Sequence, residues 1–292
     1  TAAVDRFLHS GKTPADIADR SLLQELIRKA DVVIAEGTAA EVESLGWEDL
    51  QNIHVAITPF GLTGPKRNWR CSSAVLLAMG GYTYLMGDPD KPPLTLPGHY
   101  VEYQSGQLAY IAAAASLYQG KPHSIEVSML ETVASLSQMT SVMWTCDGQI
   151  RQRHGSSFGV LYPISQFPCA DGWFHVNVVP TFWPAFVQML GAPEVEHDAR
   201  FATSQSRVDN ADELDVVIHQ YLGDKTKAEI LALGEQARVP TRVLKTLDEV
   251  LDDPHLRERR FFSESQGLRT PGLAYRIHDY PPHASQTEVQ DA

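Results

Sequence analysis

The chain has 292 residues, with 24 Lys and Arg against 36 Asp and Glu, so its formal net charge at neutral pH is −12. That balance excludes a general nucleic-acid binder, which needs a basic face, but it leaves room for an anionic small ligand in a locally basic pocket. Apolar residues make up 43% of the sequence, enough for a sizeable core and too many for a disordered chain. At about 150 residues per domain, the length fits one large domain or two smaller ones.

Cys71, Cys146 and Cys169 are too few and too scattered for a disulfide framework or a Cys-x-x-Cys metal site, which points to a reducing, cytoplasmic setting. No apolar run approaches the roughly 18 residues that a spanning helix needs, and the opening TAAVDRFLHSGK carries no signal segment. Neither a membrane nor a metal is therefore expected as a partner.

In chain order, SLLQELIRKA (21–30) is an amphipathic helix, and DVVIA (31–35) is a short apolar run with the look of a buried parallel strand. AEVESLGWEDLQ (40–51) is a second, glycine-interrupted helical stretch, and IHVAIT (53–58) a second strand, together a βαβ unit. PFGLTGP (59–65) punctuates the strand end, where open α/β sheets bind ligands. A helix is expected over 72–82, then an irregular stretch, GDPDKPP (87–93). The Ala-rich, nearly charge-free 103–120 reads as a helix buried on most sides. HSIEVSM (123–129) is a strand, and 130–146 reads as one long helix.

DGQIRQRHGSSFG (147–159) is polar and Gly/Ser-rich, a linker or loop. Beyond it, 163–179 has the pattern of a hairpin turning at Asp171-Gly172. Helices follow over 181–191 and 210–223, and TKAE (226–229) and TLDE (246–249) fit capping boxes that start two more. The fold class is α/β, a parallel-sheet large domain over 1–146 and a smaller α+β domain over 159–262, joined by 147–158 and followed by a return segment, 263–292.

The ordered blocks ADVVI (30–34), GWEDL (46–50), PFGLTGP (59–65), AMGGYTYLMGDPDKPP (78–93), SIEVSMLE (124–131), YP, QF and ADGWF within 162–174, DARFAT (198–203), ARVPTRVLKTLDEV (237–250) and DDPHLRERRFF (252–262) resemble the family III CoA-transferases. That group includes formyl-CoA transferase, carnitine CoA-transferase and alpha-methylacyl-CoA racemase. The resemblance implies a Rossmann-like large domain, an intertwined homodimer, and transfer of CoA from an acyl-CoA to a small carboxylic acid. It also implies a further strand–helix unit ahead of SGK (10–12) and a tail returning to the large domain, so the chain is expected to be a family protein without its ends.

In active family transferases an aspartate near a helix start attacks the thioester and forms a mixed anhydride. Counting forward from AMGG (78–81) places Glu102 at that position, one methylene longer. A carboxylate suits covalent acyl transfer, and a helix N-terminus favours its charge, although an acid at a helix start is also an ordinary structural choice. His99 nearby offers an acid–base partner for a racemase or lyase of the same family, or is a simple loop residue. The resemblance also places a Gly-rich lid at HGSSFG (154–159), with Gly155 in it; the alternative is an ordinary linker.

The family's Asn-Phe-Arg-Pro-Gly segment, which binds CoA, is replaced here by Ala35-Glu36-Gly37-Thr38. Compensating CoA contacts are expected from Phe60, Gly61, Gly64, Lys66, Arg67 and Arg70, whose plain alternative is a tight turn and a solvated basic loop. Trp173, Trp183, Phe186 and the cysteines are expected in the interior. Two readings stand beside the transferase: a CoA-dependent racemase, lyase or isomerase, and a catalytically degenerate domain that supports dimerisation or a fused partner.

Overall fold

A computed structural model describes residues 2–16, 18–46, 50–265 and 267–276. Most of block GWEDL and the end of the expected return segment lie outside the described residues. After helix α1 (Ala2–Leu8), α2 (Arg20–Lys29) starts on Asp19, whose carboxylate accepts from the Ser21 and Leu22 N–H groups. Such a cap satisfies donors that the first turn leaves open. Strand β1 (Val32–Glu36), helix α3 (Ala39–Glu43) and strand β2 (Ile53–Thr58) form the expected parallel βαβ unit. The helix stops well short of 51; Thr38 and Glu41 cap it reciprocally.

Helices α4 (Ser73–Met79) and α5 (Tyr100–Gln119) carry the chain back to β3 (Ser124–Ser128), which pairs parallel to β2, giving the order β1-β2-β3. Ala109 and Ala113 of α5 pack on Val55 and Val127 of the sheet. Only that face of α5 is covered: Tyr110, Ile111 and Tyr118 are 71%, 62% and 94% exposed. The expectation of a helix buried on most sides is corrected here, because freedom from charge does not say which faces have a neighbour within one chain.

The expected single helix over 130–146 is also corrected. It is two, α6 (Met129–Leu136) and α7 (Gln138–Asp147), separated at Ser137. Hydroxyls of Thr132 and Ser135 donate to carbonyls of Ser128 and Thr132, the local competition by which Ser and Thr bend or interrupt helices.

A second apolar core lies wholly within residues 162–239. Strands β4 (Ile164–Cys169) and β5 (Gly172–Asn177) form the expected hairpin, but Gly172 pairs with Cys169, so the turn residues are Ala170 and Asp171, one position earlier than read. Helices α8 (Trp183–Leu190), α9 (Ser204–Asp209), α10 (Ala211–Leu222) and α11 (Lys227–Ala237) lead to β6 (Thr241–Val243), antiparallel to β5. Glu229 accepts from the Thr226 N–H and Glu249 from the Thr246 N–H, as both capping boxes require. Helices α12 (Leu247–Leu251) and α13 (Pro254–Glu258) and the hairpin β7 (Phe262–Ser265) and β8 (Leu268–Pro271) complete the described chain.

Trp183 and Phe186 are buried as expected, whereas Trp173 is 51% exposed, because it alternates with Phe174 and so faces away from the core. Cys146 is exposed and Cys71 and Cys169 are half-buried, which corrects the expectation of buried cysteines. No described helix is long and apolar enough to cross a membrane.

Asp215 on α10 accepts from the buried Tyr162 hydroxyl, and burial pushes its carboxyl up from 3.8 to about 6. The native state thus holds a proton that the unfolded chain has released across roughly pH 4–6, so stability from this group is present below that window and is lost as pH rises through about 6. The residue still faces solvent in part, which limits the effect to about 1 kcal/mol. Denaturant midpoints should show the parent losing stability relative to Asp215→Asn as pH rises from about 4 to 7; parallel pH profiles would contradict this.

Candidate active site

The carboxyl ends of all three parallel strands meet at one cleft of about 220 Å³, lined by Glu36, Gly37, Pro59, Cys71, Ser72, Ser73, Leu76, Glu102 and Met129. Glu36 closes β1, Pro59 follows β2, and Met129 follows β3. This is the place where an open α/β sheet offers strand ends and helix starts together. Beside Glu36 at the end of β1, two helix starts supply polar groups. Ser73 opens α4, and Glu102 lies in the first turn of α5, after the N-cap His99. A 20-residue helix places partial positive charge at that end.

The two Glu102 oxygens differ. Oε1 accepts from the Ser73 hydroxyl. Oε2 is buried and has no hydrogen-bond partner among the described residues. An unsatisfied buried carboxylate oxygen is costly in a resting fold, and its reactive lone pairs are unengaged. Burial raises the Cys71 thiol above its ordinary value, which keeps the sulfur protonated and a poor nucleophile. On its other side Glu102 borders a shallow apolar hollow of about 450 Å³ with Tyr103, Gly106, Gln107, Tyr110 and Ile111.

Of the candidate catalytic and CoA-contact residues named from sequence, Glu102 is the one among the described lining residues of the cleft, where Glu36, Gly37 and Cys71 also stand. His99 is exposed and gives its carbonyl to the Tyr103 N–H, with no side-chain capping bond. The loop after β2 is built by its own contacts. The Gly61 N–H donates to Thr58 Oγ1 at 2.8 Å, and the Leu62 N–H to Glu126 Oε1 at 2.5 Å. Gly61 has φ +92°, and a Cβ there would stand 2.7 Å from Glu126 Oε1, so the turn needs glycine. Gly64, at φ +86°, has open space where a Cβ would go.

Phe60 meets Trp69 edge-on at 6.1 Å, and Lys66 Nζ lies 4.0 Å from the Trp69 ring centre. Arg67 pairs with Glu43 at 2.5 Å, and Arg70 with Glu41. Both arginines thus tie the 59–70 loop to α3. The backbone and side chain of Thr38, and then Arg70, hold the Glu41 carboxyl below its usual range. Exposed pairs of this kind are weak, because solvent screens the charges and holding two long side chains together costs entropy.

Gly155 donates its N–H to the Gly87 carbonyl at 3.1 Å, and Arg153 donates to the carbonyls of Tyr84 and Asp88 at 3.0 and 3.3 Å. The Gly-rich segment is therefore docked on the 84–88 loop, and none of its residues is among those lining the Glu102 cleft. Ser73 was missed in the sequence. Its signal was a Ser-Ser pair at a helix start, but its partner lies 29 positions away. No described cluster of His, Cys, Asp and Glu has the arrangement to hold a metal ion.

The profile of CoA-transferase family III matches residues 14–292. The chain belongs to that family, and CoA transfer is its class of activity. It is 28% identical to a succinyl-CoA–D-citramalate CoA-transferase of Chloroflexus aurantiacus, over 92% of this chain and 69% of that protein. It is 27% identical to an acetyl-CoA:oxalate CoA-transferase of Acetobacter aceti, over 92% and 72%. A CAIB/BAIF family protein from Brucella suis superposes with a TM-score of 0.81 at 24% identity, over 90% of this chain and 72% of that one. These matches agree with the mixed α/β architecture and its parallel three-stranded sheet.

Proposed function

We propose that the protein moves CoA from an acyl-CoA to a small carboxylic acid with Glu102 as the covalent carrier. The observation that carries this reading is the buried, unpartnered Oε2 of Glu102 in the cleft at the strand ends. Oε2 attacks the thioester carbonyl, the C–S bond breaks, and CoA leaves as thiolate, giving an acyl-glutamyl anhydride. The thiolate attacks the glutamyl carbonyl, releasing the donor acid and leaving a glutamyl-CoA thioester. The acceptor carboxylate repeats the sequence in reverse and departs as its own CoA ester. One difficult exchange is split into easier acyl transfers.

The cleft is lined by two acids and, among its described lining residues, no base. It therefore suits the neutral thioester end of the substrate, with the CoA phosphates along the loop that carries Phe60, Gly61, Gly64, Lys66, Arg67 and Arg70. The 154–159 segment, including Gly155, is proposed as the cover that excludes water from the anhydride. His99 supports no proton-transfer role in this scheme.

The separate cores support the division into 1–146 and 159–262. The exposed apolar face of α5 supports a homodimer, and the three free cysteines a cytoplasmic setting. Steady-state kinetics with an acyl-CoA and a second acid test the reaction. Parallel double-reciprocal lines with formation of the second CoA ester are expected. Conversion of the acyl-CoA without exchange between acids would support a lyase or isomerase instead.

A further inference from the structure

We propose that Ser73 is a positioning residue for this reaction: its hydroxyl fixes Glu102 Oε1, so that Oε2 is the oxygen that attacks. The inference rests on Glu102 being the covalent carrier. The Ser73 hydroxyl donates to Oε1, while Oε2 is buried without a partner among the described residues. Both residues line the same cleft, one from the start of α4 and one from the first turn of α5. Glutamate has one more rotatable bond than aspartate, so its carboxylate reaches further and samples more positions. A donor anchored on a second helix removes that freedom and makes the two oxygens inequivalent.

The helix-start role alone does not explain the contact. Ser73 follows the N-cap Ser72, and its hydroxyl is spent on a carboxylate 29 positions along the chain. Leu76 and Leu77 of α4 are buried in a cluster that also contains Val101, next to Glu102. The platform that carries the donor is thus packed against the platform that carries the acceptor. Fixing an attacking atom within a fraction of an ångström is worth a large factor in rate, because a misplacement of about 1 Å costs about a hundredfold.

The test compares Ser73→Ala, Ser73→Thr and Glu102→Gln with the parent in CoA exchange and thermal unfolding. For Ser73→Ala, kcat is expected to fall roughly 10- to 100-fold, with KM for the acyl-CoA and the unfolding midpoint held near the parent values. Ser73→Thr, which keeps the hydroxyl, should recover most of kcat. An inactive Glu102→Gln beside a fully active Ser73→Ala would overturn the Ser73 role and leave the carrier standing. An active Glu102→Gln would overturn the carrier itself. A loss in Ser73→Ala that Ser73→Thr fails to restore, or that follows a lowered unfolding midpoint, would assign Ser73 to the fold alone.

Discussion

Glu102→Gln is expected to reduce CoA exchange by at least about a thousandfold while leaving the fold intact. The amide matches the carboxylate in size and can still accept from Ser73 at its carbonyl oxygen, so the packing around the start of α5 is kept. What is lost is the anion that attacks the thioester. The amide nitrogen has no available lone pair for that attack. Glu102→Asp is the informative partner. It keeps the anion but withdraws it by one methylene from the Ser73 hydroxyl, so exchange should survive at a reduced rate. Rates measured on the two variants with one donor and one acceptor separate charge from reach. Activity in Glu102→Gln close to that of the parent would remove the covalent role.

Phe174→Ala should have the largest effect on stability, about 3–5 kcal/mol. Phe174 is fully buried on β5, with its ring centre 5.6 Å from that of Phe167 on β4, and belongs to the cluster with Phe186, Phe201, Leu214 and Ile218. Strands and helices of this core meet around it, so the cavity left by truncation cannot close by a local shift. At about 2–4 °C per kcal/mol for a chain of this size, the apparent melting temperature should fall by roughly 6–20 °C. Its neighbour supplies the control. Trp173 is 51% exposed, and Trp173→Ala should cost about 1 kcal/mol or less. Equal losses in the two variants would contradict the assignment of strand faces.

The parts of this fold that were legible in the sequence are those set by local patterns. DVVIA and IHVAIT carry short apolar runs, and they pair in parallel as a βαβ unit, although only β2 is an inner strand: β1 lies at the edge of the described sheet with Ile34 59% exposed, which corrects the expectation that it is buried. The spacing of Thr226 from Glu229 and of Thr246 from Glu249 is itself the geometry of a cap. What failed depends on neighbours distant in the chain. Apolarity marked α5 as a helix but not which faces are covered. The basic loop after β2 was visible, yet the use of Arg67 and Arg70 against Glu43 and Glu41 of α3 appears only when the loop folds back.

The site divides in the same way. Glu102 is named from sequence because the resemblance supplies a register and the helix start is recognisable, and the structure sets it in the cleft at the strand ends. Ser73 was not, since a Ser-Ser pair before an apolar run reads as a cap and nothing more. Glu36 and Gly37 were read only as a departure from the CoA-binding segment. In the fold they are the β1 wall of the cleft, joined there by Pro59 and Met129 from the other two strand ends. Sheet order, which sequence patterns do not specify, is what brings those ends together.

The measurement that tests the central claim most directly is turnover with an acceptor acid whose carboxylate carries ¹⁸O. The anhydride route leaves one acceptor oxygen on the carrier carboxylate each time a new CoA ester departs. After turnover, proteolysis and mass spectrometry should find ¹⁸O in Glu102 and, after further cycles, in the released donor acid. CoA exchange that proceeds with no label in Glu102, or with label in a different side chain, would contradict the account.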